Sequence, residues 1–209
     1  MLVDLDALSI AQFHDAKLID PTWPNAATSH ALEDAWRWID ANHRFNGLLW
    51  HEEDRARRTD VDPAEVAASK RLIDRHNQLR NDAVEAIDEV ILQMLRNVMR
   101  SPGARLSSET AGAMIDRLSI LALKIFHMRE QTRRTDAGAD HVSACMTKMR
   151  RLAMQRADLA SCLDQLLADA RVGLAYFKVY RQFKMYNDPA LNPYLYARHS
   201  TATQDKAAS

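Results

Sequence analysis

The stretch that decides the fold is residues 62–103, which read DPAEVAASKRLIDRHNQLRNDAVEAIDEVILQMLRNVMRSPG. It opens with a strong signal for a helix start. Asp62 suits the N-cap, Pro63 suits the first helical position, and the Glu65 side chain is placed to accept a hydrogen bond from the backbone N–H of the N-cap residue. No helix-breaking residue follows before the Ser-Pro-Gly at its end. We therefore expect one uninterrupted helix over about 63–100, roughly 55 Å long at 1.5 Å per residue.

The rest of the chain predicts further helices on both sides of this one. They are a short amphipathic helix over 6–18 and long helices over about 29–57, 108–134 and 140–186. Apolar residues recur at a spacing of three or four in the last of them, namely Leu152, Leu159, Leu163, Leu166, Ala170, Leu174 and Phe177. Short connections make consecutive helices antiparallel neighbours. The sequence thus predicts an all-α fold with no sheet: an up-down antiparallel bundle of four long helices plus a short N-terminal helix. We expect residues 1–196 to form this single helical domain and 197–209 to be a disordered C-terminal tail.

The overall charge and the two cysteines restrict the class of protein. The 28 Lys and Arg residues balance 28 Asp and Glu residues, whereas a dedicated nucleic-acid-binding protein is usually strongly basic. No apolar run approaches the ~18 residues of a membrane-spanning helix, and the N-terminus lacks the basic start of a signal peptide. Cys145 and Cys162 lie 17 residues apart in one predicted helix, too far for a disulfide. We expect a cytoplasmic protein with free thiols, no nucleic-acid partner and no membrane span.

Polar residues lie on helix faces that the apolar pattern predicts to be buried. On the 63–100 helix, Lys70, Asp74, Asn77 and Asn81 fall on or beside the apolar stripe. On the preceding helix, the polar residues His43, Glu53 and Arg57 lie around Asn46 together with apolar Leu32, Ile39 and Trp50. We expect the two stripes to face each other, with a candidate ligand-binding set of Trp50, Glu53, Lys70, Asp74, Asn77 and Asn81. Trp50 is expected to form an apolar wall near one end of the bundle.

Three interpretations of these polar residues stay open. Buried polar groups must be satisfied, because leaving one without a partner costs a few kcal/mol. The residues can form a hydrogen-bonded network that fixes helix register, or they can bind a ligand. The third interpretation is an error in the assumed helical phase.

The chemistry of the set favours a polyol or a phosphorylated sugar over a metal ion. Lys70, Arg57 and Arg80 lie among the carboxylates, and these cations would repel a metal. The paired Glu-x-x-His motifs of helical di-iron proteins are absent. Amide side chains such as Asn77 both donate and accept hydrogen bonds, which suits hydroxyl-rich ligands. The sequence predicts no metal site and no cofactor.

Three other features admit a structural and a functional interpretation. His127 shares a helix face with Asp116, Ile120 and Leu123, and we expect a satisfied core histidine there more than a catalyst. Aromatic and basic residues alternate over 176–186, which is more typical of a docked helix end than of a nucleic-acid platform. The apolar stripe of the last long helix can pack inside the chain or form a homodimer.

Four stretches together resemble a known family. They are residues 46–57 (NGLLWHEEDRAR), 70–88 (KRLIDRHNQLRNDAVEAID), 116–127 (DRLSILALKIFH) and 180–194 (YRQFKMYNDPALNPY). They resemble the bacterial family called domain of unknown function 4254, over most of residues 30–196. Members of that family are often encoded beside glycosyltransferases of lipopolysaccharide and surface-glycan assembly. The resemblance implies a non-catalytic accessory or binding protein with a glycosyltransferase or related glycan-assembly enzyme as partner. The alternative is an enzyme that acts on a small phosphorylated or sugar-like substrate.

Overall fold

The computed structural model describes residues 5–25, 34–181 and 190–194. Within these residues it has five helices and two short strands. The helices are α1 (Ala7–Leu18), α2 (Asp34–Arg55), α3 (Pro63–Met94), α4 (Ala111–Thr132) and α5 (Ala139–Arg171). The strands are β1 (Arg105–Leu106) and β2 (Ala175–Tyr176). This confirms the all-α fold class, while the up-down order of the helices stays a prediction.

The chain divides into two compact units, residues 1–179 and residues 180–209. All the helices and strands above belong to the first unit. In the described part of the second unit, the Tyr194 backbone N–H donates to Asn192 Oδ1 at 3.0 Å. The predicted single domain over 1–196 stays a prediction, and the predicted tail at 197–209 lies outside the described residues.

Side-chain caps fix the starts of three helices. Asp62 accepts a hydrogen bond from the Ala64 backbone N–H at 2.7 Å, with Pro63 as the first helical residue. Asp6 and Thr110 cap α1 and α4 in the same way. These bonds satisfy N–H groups that have no partner within the helix. The helix start read from residues 62–65 is therefore confirmed.

Helix α4 is the centre of the first unit, because it packs against α1, α2, α3 and α5. Helices α2 and α3 pack along each other, and α4 and α5 do the same. The largest fully buried side chains of the core include Ile39, Ile87, Ile115, Leu118 and Leu163, one or more from each of the four long helices. Burial of these side chains supplies the main stabilising free energy of the fold.

Helix α5 ends at Arg171, so the predicted continuation to Tyr186 is wrong. Gly173 has a φ of +76°, a left-handed conformation that ends helices and that favours glycine. A Cβ on Gly173 would also run into the backbone of Met99. The turn leads into β2, which pairs in parallel with β1. A minimal sheet is thus present where none was predicted.

The stretch after α5 is not the helix end that its aromatic and basic residues predict. Tyr176 belongs to β2, and Phe177 is only 1% exposed in the core, whereas Leu174 is exposed. Residues 182–186 lie outside the described residues. Helix α3 also ends earlier than predicted, at Met94, where the Leu95 N–H bonds back to the carbonyls of Gln93 and Ile91.

The leucine stripe of α5 packs inside the chain. Leu159, Leu163 and Leu166 are buried in the main core, and Leu152 packs against it. The stripe therefore supplies no argument for a homodimer. In the described ranges, no helix combines the length and apolarity needed to cross a membrane.

Candidate functional site

Helices α2, α3 and α4 enclose a cleft of about 460 Å³, which is the size of a small-molecule site. We call it the polar cleft. Its polar lining residues are Asn46, Glu53, Asp54, Arg57, Asn77 and Arg80, and its apolar ones are Leu49, Trp50, Ile120 and Leu123.

Helical spacing brings these side chains to one place. Asn46, Trp50 and Glu53 are three or four residues apart on α2 and therefore share one face, and Arg57 follows Glu53 by four residues in the turn after this helix. Asn77 and Arg80 on α3 are likewise three apart, whereas Ile120 and Leu123 supply an apolar wall from α4. The cleft is thus polar on its α3 side, mixed on its α2 side and apolar on its α4 side.

The two arginines of the cleft differ in how their donors are used. Arg57, just after the end of α2, is paired with Glu53, since its Nη2 lies 3.0 Å from Glu53 Oε2 and its Nη1 donates to the Glu53 carbonyl at 2.7 Å. Arg80 donates from Nη2 to Asn81 Oδ1 at 3.1 Å. Its Nε is buried and has no hydrogen-bond partner within the described part of the chain. A buried unsatisfied donor costs about 1–3 kcal/mol, so a hydrogen-bond acceptor that reached the Arg80 Nε–H would remove this cost.

A buried hydrogen-bonded network lies behind the cleft, between α2 and α4. Asn46 Nδ2 donates to Asp116 Oδ1 at 2.8 Å and to Ser119 Oγ at 2.9 Å. Asn42 Nδ2 donates to the same Asp116 oxygen at 2.8 Å. His43 Nδ1 lies 2.7 Å from Ser119 Oγ. These contacts fix the register of α2 on α4, so the register interpretation fits this network, which is distinct from the polar residues of α3.

An aromatic stack of two histidines and a tryptophan extends this network. The rings of His14 and His43 have centroids 4.4 Å apart, and Trp23 stacks on His43 at 4.6 Å. Gly47 makes room for this stack, because a Cβ there would overlap the Trp23 ring. Burial lowers the pKa of His43 to about 3 and the pKa of His14 well below its usual value. Both imidazoles are therefore neutral near pH 7.

Trp50 connects the polar cleft to His127. The two rings stack with centroids 4.5 Å apart and planes 10° from parallel. Burial lowers the pKa of His127, so this imidazole is also neutral near pH 7. His127 is half-buried, and it lines a second pocket together with Trp50. It is therefore not the enclosed core histidine that the sequence favoured.

The structure brings three of the six predicted site residues into the polar cleft. Trp50, Glu53 and Asn77 line it. Asn81 is buried beside it and accepts the Arg80 hydrogen bond. Placing Lys70 and Asp74 on the buried stripe was wrong, because both are exposed. The buried face in the first half of α3 is centred on Ser69 and Ile73, which rotates Lys70 and Asp74 out of it.

Sequence reasoning left Asp54, Arg57 and Arg80 out of the site. The helical signal was available, since Arg57 follows Glu53 by four residues and Arg80 follows Asn77 by three. Among the described residues, no group of three or more His, Cys, Asp or Glu side chains is placed to hold a metal ion.

Comparison with known proteins gives one match. Residues 36–179 match the family model described as "Protein of unknown function (DUF4254)". This segment contains every lining residue of the polar cleft. No curated protein and no solved structure matches the chain.

Proposed function

The chain belongs to the DUF4254 family, and we propose that it is a non-catalytic binding protein whose polar cleft holds a phosphorylated sugar or a closely related polyol phosphate. The observation that carries this proposal is the buried Nε–H of Arg80, which has no partner among the described residues and belongs to a side chain that lines the cleft. A guanidinium presents its N–H groups in a rigid fork that matches phosphate oxygens.

The other polar groups of the cleft favour a ligand with hydroxyl groups over a bare anion. Glu53 and Asp54 line the cleft beside Arg57 and Arg80, so carboxylates balance the guanidinium charges. Carboxylates repel a free phosphate ion but accept hydrogen bonds from hydroxyls. The amide of Asn77 adds both a donor and an acceptor. A ligand that carries hydroxyls as well as one phosphate satisfies this mixture best.

A thermal-unfolding panel tests the ligand class. The probes are glucose 1-phosphate and mannose 1-phosphate, with glucose and inorganic phosphate as the two halves of the ligand. A ligand that binds only the folded state raises the melting temperature, by roughly 5 °C at saturating concentration for a chain of this size. We expect at least one sugar phosphate to do so and neither half to match it. A panel of phosphorylated sugars without any such shift would overturn the proposal.

The proposed setting is bacterial surface-glycan assembly in the cytoplasm, with a glycosyltransferase or related enzyme as partner. This part of the proposal is supported only by the resemblance to the family. Such an enzyme should co-purify with a tagged copy of the protein from its own host, and a deletion strain should have an altered lipopolysaccharide. Repeated recovery of no such enzyme, together with an intact glycan in the deletion strain, would contradict it. A homodimer stays a prediction that sedimentation equilibrium tests.

One observation favours the alternative that the protein is an enzyme acting on the same class of substrate. His127 has a neutral imidazole near pH 7 and stacks on Trp50, a wall of the cleft. A neutral histidine can act as a general base for a substrate that extends past Trp50 into the second pocket, which His127 lines. ³¹P spectra of each sugar phosphate incubated with the protein would show turnover in this case, and His127→Gln would abolish it. We expect no turnover from the binding protein.

A further inference from the structure

A second pocket lies on the other side of Trp50, between α4 and α5. Its volume is about 540 Å³. We call it the cationic pocket, because its charged lining residues are Lys124, Lys148 and Arg151. His127, which is neutral near pH 7, forms part of its wall through the stack with Trp50.

The charge of this pocket is unbalanced, unlike that of the polar cleft. No carboxylate lines it. In the parts of the chain that the structure describes, none of the eight ion pairs involves Lys124, Lys148 or Arg151. All three side chains are exposed, so their charged ends belong to the rim of the pocket, where like charges together attract an anion. The pocket therefore suits a ligand with negative charge.

The rest of the lining suits an apolar group. Met128 of α4 and Leu152 of α5 line the pocket, and Trp50 closes it from the α2 side. The methylene stems of lysine and arginine also provide apolar surface below their charged ends. Methionine adapts to varied ligand shapes, and the aromatic ring offers a flat face for stacking.

We propose that the cationic pocket is a second ligand site, which binds a soluble phosphate monoester with an apolar, preferably aromatic, body. The apolar body lies inside the pocket against Trp50, Met128 and Leu152, and the phosphate lies at the rim, within reach of the exposed ends of the three cations. This site does not depend on the function proposed for the polar cleft, because the cleft has its own arginines and only Trp50 lines both.

Isothermal titration calorimetry with 1-naphthyl phosphate tests this proposal on the full chain. Two further probes test the two parts of this ligand separately: 1-naphthol has the apolar body without the anion, and inorganic phosphate has the anion alone. We expect 1-naphthyl phosphate to bind at least tenfold more tightly than either. We also expect its affinity to fall as salt is added, because the cations are partly exposed to solvent.

A charge-matched pair of double variants locates the binding. Lys148→Gln with Arg151→Gln removes two cations of the pocket and should weaken binding of 1-naphthyl phosphate at least tenfold. Arg129→Gln with Arg150→Gln removes two exposed cations that lie on α4 and α5 but outside the pocket, so binding should change less than twofold. Circular dichroism checks that both variants keep the helical fold. Arg80→Gln should leave this binding unchanged, which separates the cationic pocket from the polar cleft.

Three results would overturn the proposal. One is no measurable binding of 1-naphthyl phosphate by the folded wild-type protein. Another is an equal loss of affinity in the two double variants, which would indicate general charge attraction. The third is binding only to vesicles that contain phosphatidic acid, which would indicate a membrane headgroup and not a soluble ester.

Discussion

The indole of Trp50 lies over the imidazole of His127, with ring centroids 4.5 Å apart and planes 10° from parallel. This contact joins α2 to α4. It places one tryptophan at the wall of both the polar cleft and the cationic pocket. Neither ring is fully buried, so each keeps a surface that a ligand can reach. Trp50 is therefore the residue on which both proposed sites depend.

Replacing Trp50 with Ala should weaken both sites. The change removes an aromatic contact and leaves a gap at the wall of each pocket, so we expect the free energy of unfolding to fall by about 1–3 kcal/mol. Binding of a sugar phosphate and of 1-naphthyl phosphate should each weaken at least fivefold. Urea unfolding and calorimetry measure the two effects. Trp50→Phe keeps an aromatic ring and serves as the control, and wild-type affinities in the alanine variant would remove Trp50 from both sites.

Replacing Asn77 with Leu distinguishes a ligand-binding role of this residue from a purely structural one. Asn77 is half-buried on the cleft wall, and a leucine there should leave the free energy of unfolding within about 1 kcal/mol of wild type or raise it. Sugar-phosphate binding and restoration of the surface glycan in a deletion strain should both be lost. Stability kept while function is lost is typical of a functional residue.

The matched control is Gln78→Leu, because Gln78 is exposed and its side chain donates to Asp82 on its own helix. Adding Asn81→Leu to Asn77→Leu also removes the acceptor that holds Arg80. We expect this double variant to fold and to lose binding as well. Full complementation by a stable double variant would return both asparagines to a purely structural role.

The buried histidines should make the protein less stable as the pH falls below about 6.5. The pKa of His43 is about 3 in the folded chain against 6.5 for a free histidine. Between these values the unfolded chain binds the proton and the folded chain does not, so stability decreases as pH falls. One such group contributes about 1.4 kcal/mol per pH unit. His14 has its pKa lowered as well and adds a contribution of the same sign.

Urea unfolding at pH 7.5, 6.0 and 5.0 measures this slope. His43→Gln removes one titrating group, so its free energy of unfolding should depend less steeply on pH even though it is less stable at pH 7.5. An identical slope in the two proteins would show that His43 is not the group responsible.

Asp88 should have the opposite pH dependence. It lies on α3 and is buried against the start of α4, where its Oδ1 accepts the Gly112 backbone N–H at 2.6 Å, and burial raises its pKa to about 6. The folded chain therefore holds the proton more tightly than the unfolded chain. The stability that this provides is complete below about pH 3.8 and is lost as the pH rises through about 6.

Asp88→Asn keeps an acceptor for Gly112 and removes the cost of the buried charge. We expect it to raise the free energy of unfolding at pH 7.5 by on the order of 1 kcal/mol and to change it little at pH 4. A variant that is clearly less stable than wild type at pH 7.5 would show that the ionised carboxylate is required at the start of α4.

Local sequence signals predicted the helices well at their starts and less well at their ends. Asp62 and Pro63 begin α3 as expected, because capping depends on residues next to each other in the chain. The end of α5 depends on Gly173 and on the pairing of β2 with β1, about 70 residues earlier. A single glycine within a run of periodic apolar residues gives no sign that the chain after it pairs with a strand so far away in the sequence.

The positions of the predicted site residues follow the sequence only in part. Trp50, Glu53 and Asn77 line the polar cleft because their spacing places them on inward faces of α2 and α3, and their role in ligand binding stays a prediction. Lys70 and Asp74 were misplaced because a small error in the assumed phase of α3 moves a residue from a buried face to solvent. The unsatisfied Nε of Arg80 is a tertiary property, which needs the positions of all its neighbours.

The most direct measurement of the central claim follows the Arg80 Nε–H itself. Two-dimensional ¹H–¹⁵N spectra resolve arginine Nε–H groups, and Arg80→Gln identifies the Arg80 signal by its absence. We expect this signal to shift on titration with a sugar phosphate that raises the melting temperature, while the signal of Arg71, exposed on the same helix, stays in place. A sugar phosphate that binds the protein and leaves the Arg80 signal unmoved would contradict the assignment of the polar cleft as the binding site.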